Sequence, residues 1–172
     1  MPKKSYTVIT FGTYDLFHLG HLRIIERARA LADRKGAEQG VPGILVVGVS
    51  SDSLTQYKKL QLPIVPESER LLIIRALKHV DACFLEESLD LKCSYIEQFN
   101  ADCLVMGDDH AGRFAEVESM ECTRVFLPRT TDISTSERLQ FIRGSVSGVN
   151  SQFQLQKQRE REEEIYLSRE EL

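Results

Sequence analysis

Aliphatic and β-branched residues recur in short runs along the chain: Tyr6 to Phe11, Ile44 to Val49, Ala82 to Leu85, Cys103 to Met106 and Arg124 to Leu127. The runs are continuously apolar rather than alternating, the pattern of strands buried on both faces. Segments of helical period stand between them. Leu22, Ile25, Ala28, Leu31 and Ala32 form one apolar stripe, Leu71, Ile74 and Leu77 a second, and Leu89, Cys93, Ile96 and Phe99 a weaker third. The order β-α-β-α-β-α-β, then β and α again, predicts a doubly wound α/β fold, with a parallel sheet, right-handed crossovers and helices on both faces. Two stretches are expected to stand outside this scheme: a polar loop over Asp33 to Gly43, and a mobile connection over Thr55 to Pro66 that carries two lysines and two prolines.

At 172 residues the chain has room for one domain, taking roughly 150 residues as a domain's usual share. The expected division is a domain over 1–144 and, over 145–172, a linker with a highly charged tail that forms a solvated helix or no helix. Hydrophobic residues at 42% and charged residues at 28% exclude a wholly disordered chain. A net charge of -4 excludes a broad basic surface for nucleic acid, so an anionic ligand must be held by a local cluster. The four cysteines have neither CxxC nor paired zinc spacing, and Cys83, Cys103 and Cys122 are expected as buried, reduced thiols. The first residues lack the apolar region of a signal peptide, and the longest aliphatic and glycine run, Gly43 to Val49, is far below the roughly 18 residues of a membrane span. The expectation is a cytoplasmic protein with no membrane insertion.

In doubly wound folds ligands bind beyond the carboxyl ends of the strands. The loop after the first strand reads Gly12-Thr13-Tyr14-Asp15-Leu16-Phe17-His18-Leu19-Gly20-His21. His18 and His21 are one helical turn apart at an expected helix start, which puts both on one face with Cβ atoms about 5–6 Å apart. Gly20 allows close approach, and the free amides of the first turn favour an anion, so the segment suits a phosphate. By itself the pattern also suits one structural histidine and one cap; its place after the first strand favours the ligand. The last loop brings Arg129 and Thr130 before Ser134-Thr135-Ser136-Glu137, a capping-box pattern opening a helix that Gly144 is expected to close. A guanidinium, hydroxyls and a helix N-terminus converge there on a polyphosphate, and Lys58 or Lys59 adds a movable cation. Asp109 is a candidate for a nucleoside hydroxyl or a metal; Asp52 reads as a turn former and His79 as structural, while His110 has no evident partner.

Val8 to His21, Val105 to Asp109 and Arg129 to Ser136 together resemble the cytidylyltransferases of the HxGH nucleotidyltransferase superfamily, and the resemblance spans about residues 6 to 142. It implies a Rossmann-like fold, a homodimer, and transfer of CMP from CTP to a phosphorylated alcohol with release of pyrophosphate. Mg2+ would be held mainly by the CTP phosphates, without a metal site on the protein. His18 and His21 would stabilise charge on the α-phosphate; Arg129, Thr130, Ser134, Thr135 and Ser136 would hold the outer phosphates. Thr13, Tyr14, Gly20 and Gly107 would lie along the nucleotide, Asp109 near the nucleoside, and Arg70 would support the site. Asp15, Lys58, Lys59 and Lys92 would serve the acceptor, with Lys59 or Lys58 bridging it to CTP. Leu19, Lys78, Leu60, Gln61, Thr131 and Asp132 depart from the residues usual in the family. Phe11 stands where choline-phosphate enzymes of the family carry an aspartate, which favours a polyol phosphate, with sn-glycerol 3-phosphate ahead of ethanolamine phosphate. An adenylyltransferase such as an FAD synthetase is the enzymatic alternative, and a nucleotide-sensing binding subunit the alternative outside catalysis.

Overall fold

The computed structural model describes residues 4–130 and 135–145. The strands are β1 (Tyr6–Gly12), β2 (Gly43–Ser50), β3 (Ala82–Glu86), β4 (Cys103–Gly107) and β5 (Thr123–Leu127). The helices are α1 (Leu19–Glu38), α2 (Asp52–Lys59), α3 (Glu67–Arg75), α4 (Lys92–Gln98) and α5 (Thr135–Ser145), with short 3-10 helices at Asp108–His110 and Ala115–Met120. The strands form one parallel sheet in the order β3-β2-β1-β4-β5. Chain order reverses between β2, which follows β1 on one side, and β4, which joins it on the other. The end of β1 is therefore the switch point where an α/β sheet opens a crevice.

Successive residues of β1 point to opposite faces, and each face has a core. Tyr6 and Val8 pack with Ile25, Ala28 and Ala32 of α1 and Ile74 of α3. Ile9 and Phe11 pack with Tyr95 and Ile96 of α4, Met106 and Val117. Continuous apolar strands and coverage of both faces thus follow from one pattern, as the sequence predicts.

Two connections differ from expectation. The stretch over Asp33–Gly43 is not all loop, since α1 runs on to Glu38. Its polar residues pair along the helix, Arg29 with Asp33 at 2.8 Å and Lys35 with Glu38 at 2.6 Å. Gly36 reflects close packing rather than a turn: a Cβ there would lie 2.6 Å from the Val41 carbonyl oxygen. The stretch over Thr55–Pro66 is not a mobile connection. Helix α2 occupies its first part, capped by Ser51 Oγ, which accepts from Leu54 N at 3.0 Å, and closed by Leu60 in the left-handed region at φ 55°. The amides of Ile64 and Val65 then donate to the Asp15 carboxylate, each at 2.9 Å.

The sheet unit ends at Thr135, and a second unit begins at Ser136 with the rest of α5. Gly144 lies inside α5 rather than closing it. The tail expected over 145–172, beyond Ser145, lies outside the described residues, as does the Ser134 cap. Cys103 and Cys122 are buried as expected and Cys83 is half-buried; these three and Cys93 are free thiols. No helix among the described residues is long and apolar enough to cross a membrane.

Candidate active site

The site is built at the carboxyl end of β1. His18 caps α1 in an extended conformation, and its carbonyl accepts from the amides of His21 and Leu22. The two imidazoles stack, with ring centroids 3.7 Å apart and planes 19° from parallel. Tyr14 meets His21 edge-on at 5.3 Å, and Phe17 lies 5.7 Å from it. His21 Nδ1 is buried and has no hydrogen-bond partner among the described residues. Burial first, then the nearby His18 and Lys59, push its pKa from 6.5 down to about 3, so the ring is neutral at pH 7.

The turn before the histidines is tightly folded. Tyr14 and Leu16 take positive φ, 56° and 44°, and the Tyr14 ring lies under Gly12, where a Cβ would come within 2.9 Å of it. That ring is a core residue, buried against the sheet. The ring backs His21, so what the turn offers at its surface is the backbone rather than the phenol. The Asp15 carboxylate accepts from Leu16, Ile64 and Val65 amides and so anchors the α2–α3 connection instead of presenting itself to an acceptor. The Asp15 carbonyl accepts from Thr135 Oγ1 at 2.9 Å.

Arg70 is likewise part of the frame. Its side chain has no exposed surface, and its three nitrogens donate to the carbonyls of Val65, Thr13 and Ser50 and to Asp52, at 2.5–2.8 Å. With its guanidinium engaged in this way it joins the ends of β1 and β2 to the chain before α3. Asp52 is structural, as its turn-former reading has it. It and Glu67 accept from each other's backbone amides, so α2 and α3 cap one another.

The lysines separate into two positions. Lys59 lies within electrostatic reach of His21, Asp15, Arg70 and Asp109. Lys58 turns the other way: its Nζ donates to Ser50 Oγ at 2.9 Å and stands 3.9 Å from Glu86. Lys92, buried at the start of α4, donates to Glu86 Oε1, and its Nζ lies 3.4 Å from the centre of the Phe11 ring. Sequence reasoning missed Glu86 and Ser50. The signal was slight: β2 and β3 each run one residue past their apolar run and end on these two polar side chains.

Beyond β4, Asp109 Oδ1 folds over Gly107, where a Cβ would come within 2.6 Å of it, and Asp109 lies 3.9 Å from His110. Beyond β5, Arg129 is exposed and Thr130 half-buried. His79 pairs with Glu26 at 3.7 Å, away from these groups, a structural place as expected. Ser134 lies outside the described residues, and Ser136 belongs to the second unit. Among the described residues no three metal-ligating side chains converge. The carboxylates of Asp15 and Asp52 are occupied by amides and Arg70.

A parallel sheet whose central strand delivers two stacked imidazoles to a helix N-terminus, with lysines alongside, is the frame of a nucleotide-handling α/β enzyme. The cytidylyltransferase-like family model matches residues 9–146. A glycerol-3-phosphate cytidylyltransferase of Bacillus subtilis is 36% identical over 137 residues, covering 80% of this chain and 97% of that protein. One from Staphylococcus aureus is 32% identical over 137 residues, covering 80% and 95%. The crystal structure of a lipopolysaccharide core biosynthesis protein from Thermoplasma volcanium superposes with a TM-score of 0.55 at 26% identity, covering 73% of this chain and 96% of that one. The chain belongs to the cytidylyltransferase-like family and is a nucleotidyltransferase.

Proposed function

We propose that the protein transfers CMP from CTP to sn-glycerol 3-phosphate, giving CDP-glycerol and pyrophosphate. A phosphate oxygen of the acceptor attacks the α-phosphorus in line, the new O–P bond forms as the bond to the β-phosphate oxygen breaks, and pyrophosphate departs. The observation that carries this reading is the stacked pair His18 and His21 at the α1 N-terminus beyond β1, with Lys59 within electrostatic reach. The neutral His21 ring, the His18 imidazole and the helix amides donate hydrogen bonds to the α-phosphate as its charge grows, while Lys59 and Arg129 supply positive charge. Thr13, Gly20, Gly107, Asp109, Thr130 and Thr135 complete the nucleotide contacts in this reading. In this reading magnesium would be held mainly by the CTP phosphates, where it would neutralise part of the triphosphate charge.

The acceptor reading is supported by relatives named for glycerol 3-phosphate and by the Phe11 ring. The Lys92 ammonium already covers a face of that ring, which leaves it no place in a cage for a quaternary amine. Of the three N–H groups on Lys92, one goes to Glu86 and two remain for an acceptor phosphate. In this reading the protein acts in the cytoplasm and as a homodimer, which light scattering at assay concentration tests. The deciding assay is pyrophosphate release with magnesium, each nucleoside triphosphate and glycerol 3-phosphate, ethanolamine phosphate or choline phosphate. Release is expected with CTP and glycerol 3-phosphate; release with ATP but not CTP rejects the reading.

A further inference from the structure

Glu86 ends β3 with 1% of its surface exposed, at the edge of the candidate site. A carboxylate so buried needs matched donors in place of water. Lys92 Nζ supplies one at Oε1, and Ser50 Oγ donates to Oε2 at 2.7 Å. The single proton of the Ser50 hydroxyl is thereby committed to Glu86, so its lone pairs face Lys58 Nζ at 2.9 Å. The chain Lys58, Ser50, Glu86, Lys92 has a fixed direction and connects α2, β2, β3 and α4.

We propose that Glu86 is a positioning residue for the acceptor: its carboxylate fixes Lys92, and through Ser50 fixes Lys58, so that two ammonium groups meet the acceptor's phosphate from one arrangement. This rests on the reading of Lys92 as an acceptor ligand. The cluster of two ammonium groups and one carboxylate keeps a surplus positive charge, which suits a phosphate monoester and repels a free cation. Glu86 also governs protonation. Burial pushes Lys92 down to about 8, and the Glu86 carboxylate works against that fall; burial likewise lowers Lys58, and Glu86 again opposes it. Other titratable and charged groups that face the cluster are Lys59 on α2 and Arg70 on α3, which both lower Lys58, His110 beyond β4, which feels both lysines, and the phenol of Tyr14, which feels Glu86. On α4, the Tyr95 hydroxyl accepts from the Glu87 amide. Among the described residues Glu86 is the carboxylate in contact with Lys92.

Glu86→Gln keeps the shape and removes the charge. With CTP saturating, the acceptor KM at pH 8 is expected to rise about fivefold, the effect of moving the Lys92 pKa from about 8 to about one unit below the assay pH. The CTP KM is expected to stay within about twofold, and the alkaline limb of kcat/KM for the acceptor to shift about one unit to lower pH. Glu86→Asp restores the limb. An unchanged acceptor KM and limb overturn the proposal, as does an equal rise in both KM values with the limb fixed, the result of a merely structural role. Ser50→Ala is the second variant, used also if the glutamine variant does not fold. It frees Lys58 from the chain and is expected to raise the acceptor KM and not that of CTP; no change overturns the proposal. Wild-type protein that forms no CDP-glycerol overturns the functional reading and this inference with it, whereas an active wild type with unresponsive variants overturns this inference alone.

Discussion

Arg70 and His21 are basic groups near the same strand end, yet the buried nitrogens of the two differ in their hydrogen bonding. Arg70 spends its donors on three carbonyls and Asp52, in contact with β1, β2 and the chain before α3. His21 keeps a buried nitrogen with no partner among the described residues, and its ring is neutral. A buried donor already committed to the backbone holds a frame; one left open, at a helix N-terminus, meets a ligand. Charge alone does not separate the two roles, and hydrogen-bond state does.

The sharpest test of this contrast is Arg70→Met, which leaves Asp52 unpaired in a half-buried setting and three carbonyls without their donor. Urea unfolding is expected to show a loss on the order of 3–5 kcal/mol. Unaltered stability with lost CTP affinity would make Arg70 a ligand and dissolve the contrast. His18→Ala and His21→Ala are expected to lower kcat for pyrophosphate release by about 10²–10³, with far less effect on unfolding than Arg70→Met. Near-normal turnover in either removes the histidines from catalysis.

Asp15→Asn keeps an acceptor oxygen but sets an NH2 group against at least one of the three amides, so a smaller loss, about 1–2 kcal/mol, is expected. It should come with a raised CTP KM, because Lys59 precedes the segment that Asp15 anchors; an unmoved KM would separate that anchor from the site. The smallest effect is on pH. The folded-state pKa of His21 lies near 3, below its ordinary 6.5, so the unfolded chain binds its proton first. The contribution is complete above pH 6.5 and is lost as pH falls from there towards 3. His21→Ala should flatten thermal stability across that window relative to wild type, and an identical slope would show that the ring is not held neutral.

Much of the sheet was legible because strands covered on both faces leave uninterrupted apolar runs, and β1 to β5 fall on those runs. The end of α1 was hidden because its last turns carry paired polar residues and a glycine, and α2 because its capping serine and its left-handed stop at Leu60 look like loop punctuation. In the site, the spacing of His18 and His21 carries their stacking directly. Arg70 could not be placed, since its partners are carbonyls from three separate segments, a tertiary fact invisible in composition. Glu86 carries no signal in the sequence beyond ending an apolar run; its enclosure with Lys92 and Ser50 distinguishes it.

The central place of β1 also bears on how the protein is made. Its first neighbour, β2, follows after a single helix, but its other neighbour, β4, begins only at Cys103. At synthesis rates of roughly 5–20 residues per second, the second edge of β1 waits about 5–20 s for its partner. Throughout that interval a strand of the most apolar kind presents open amides and carbonyls to the ribosome's surroundings. The most exposed moment in this molecule's life thus precedes the finished sheet, and a chaperone that shields the amino-terminal half until Gly107 has emerged guards the same strand end that later receives the phosphate.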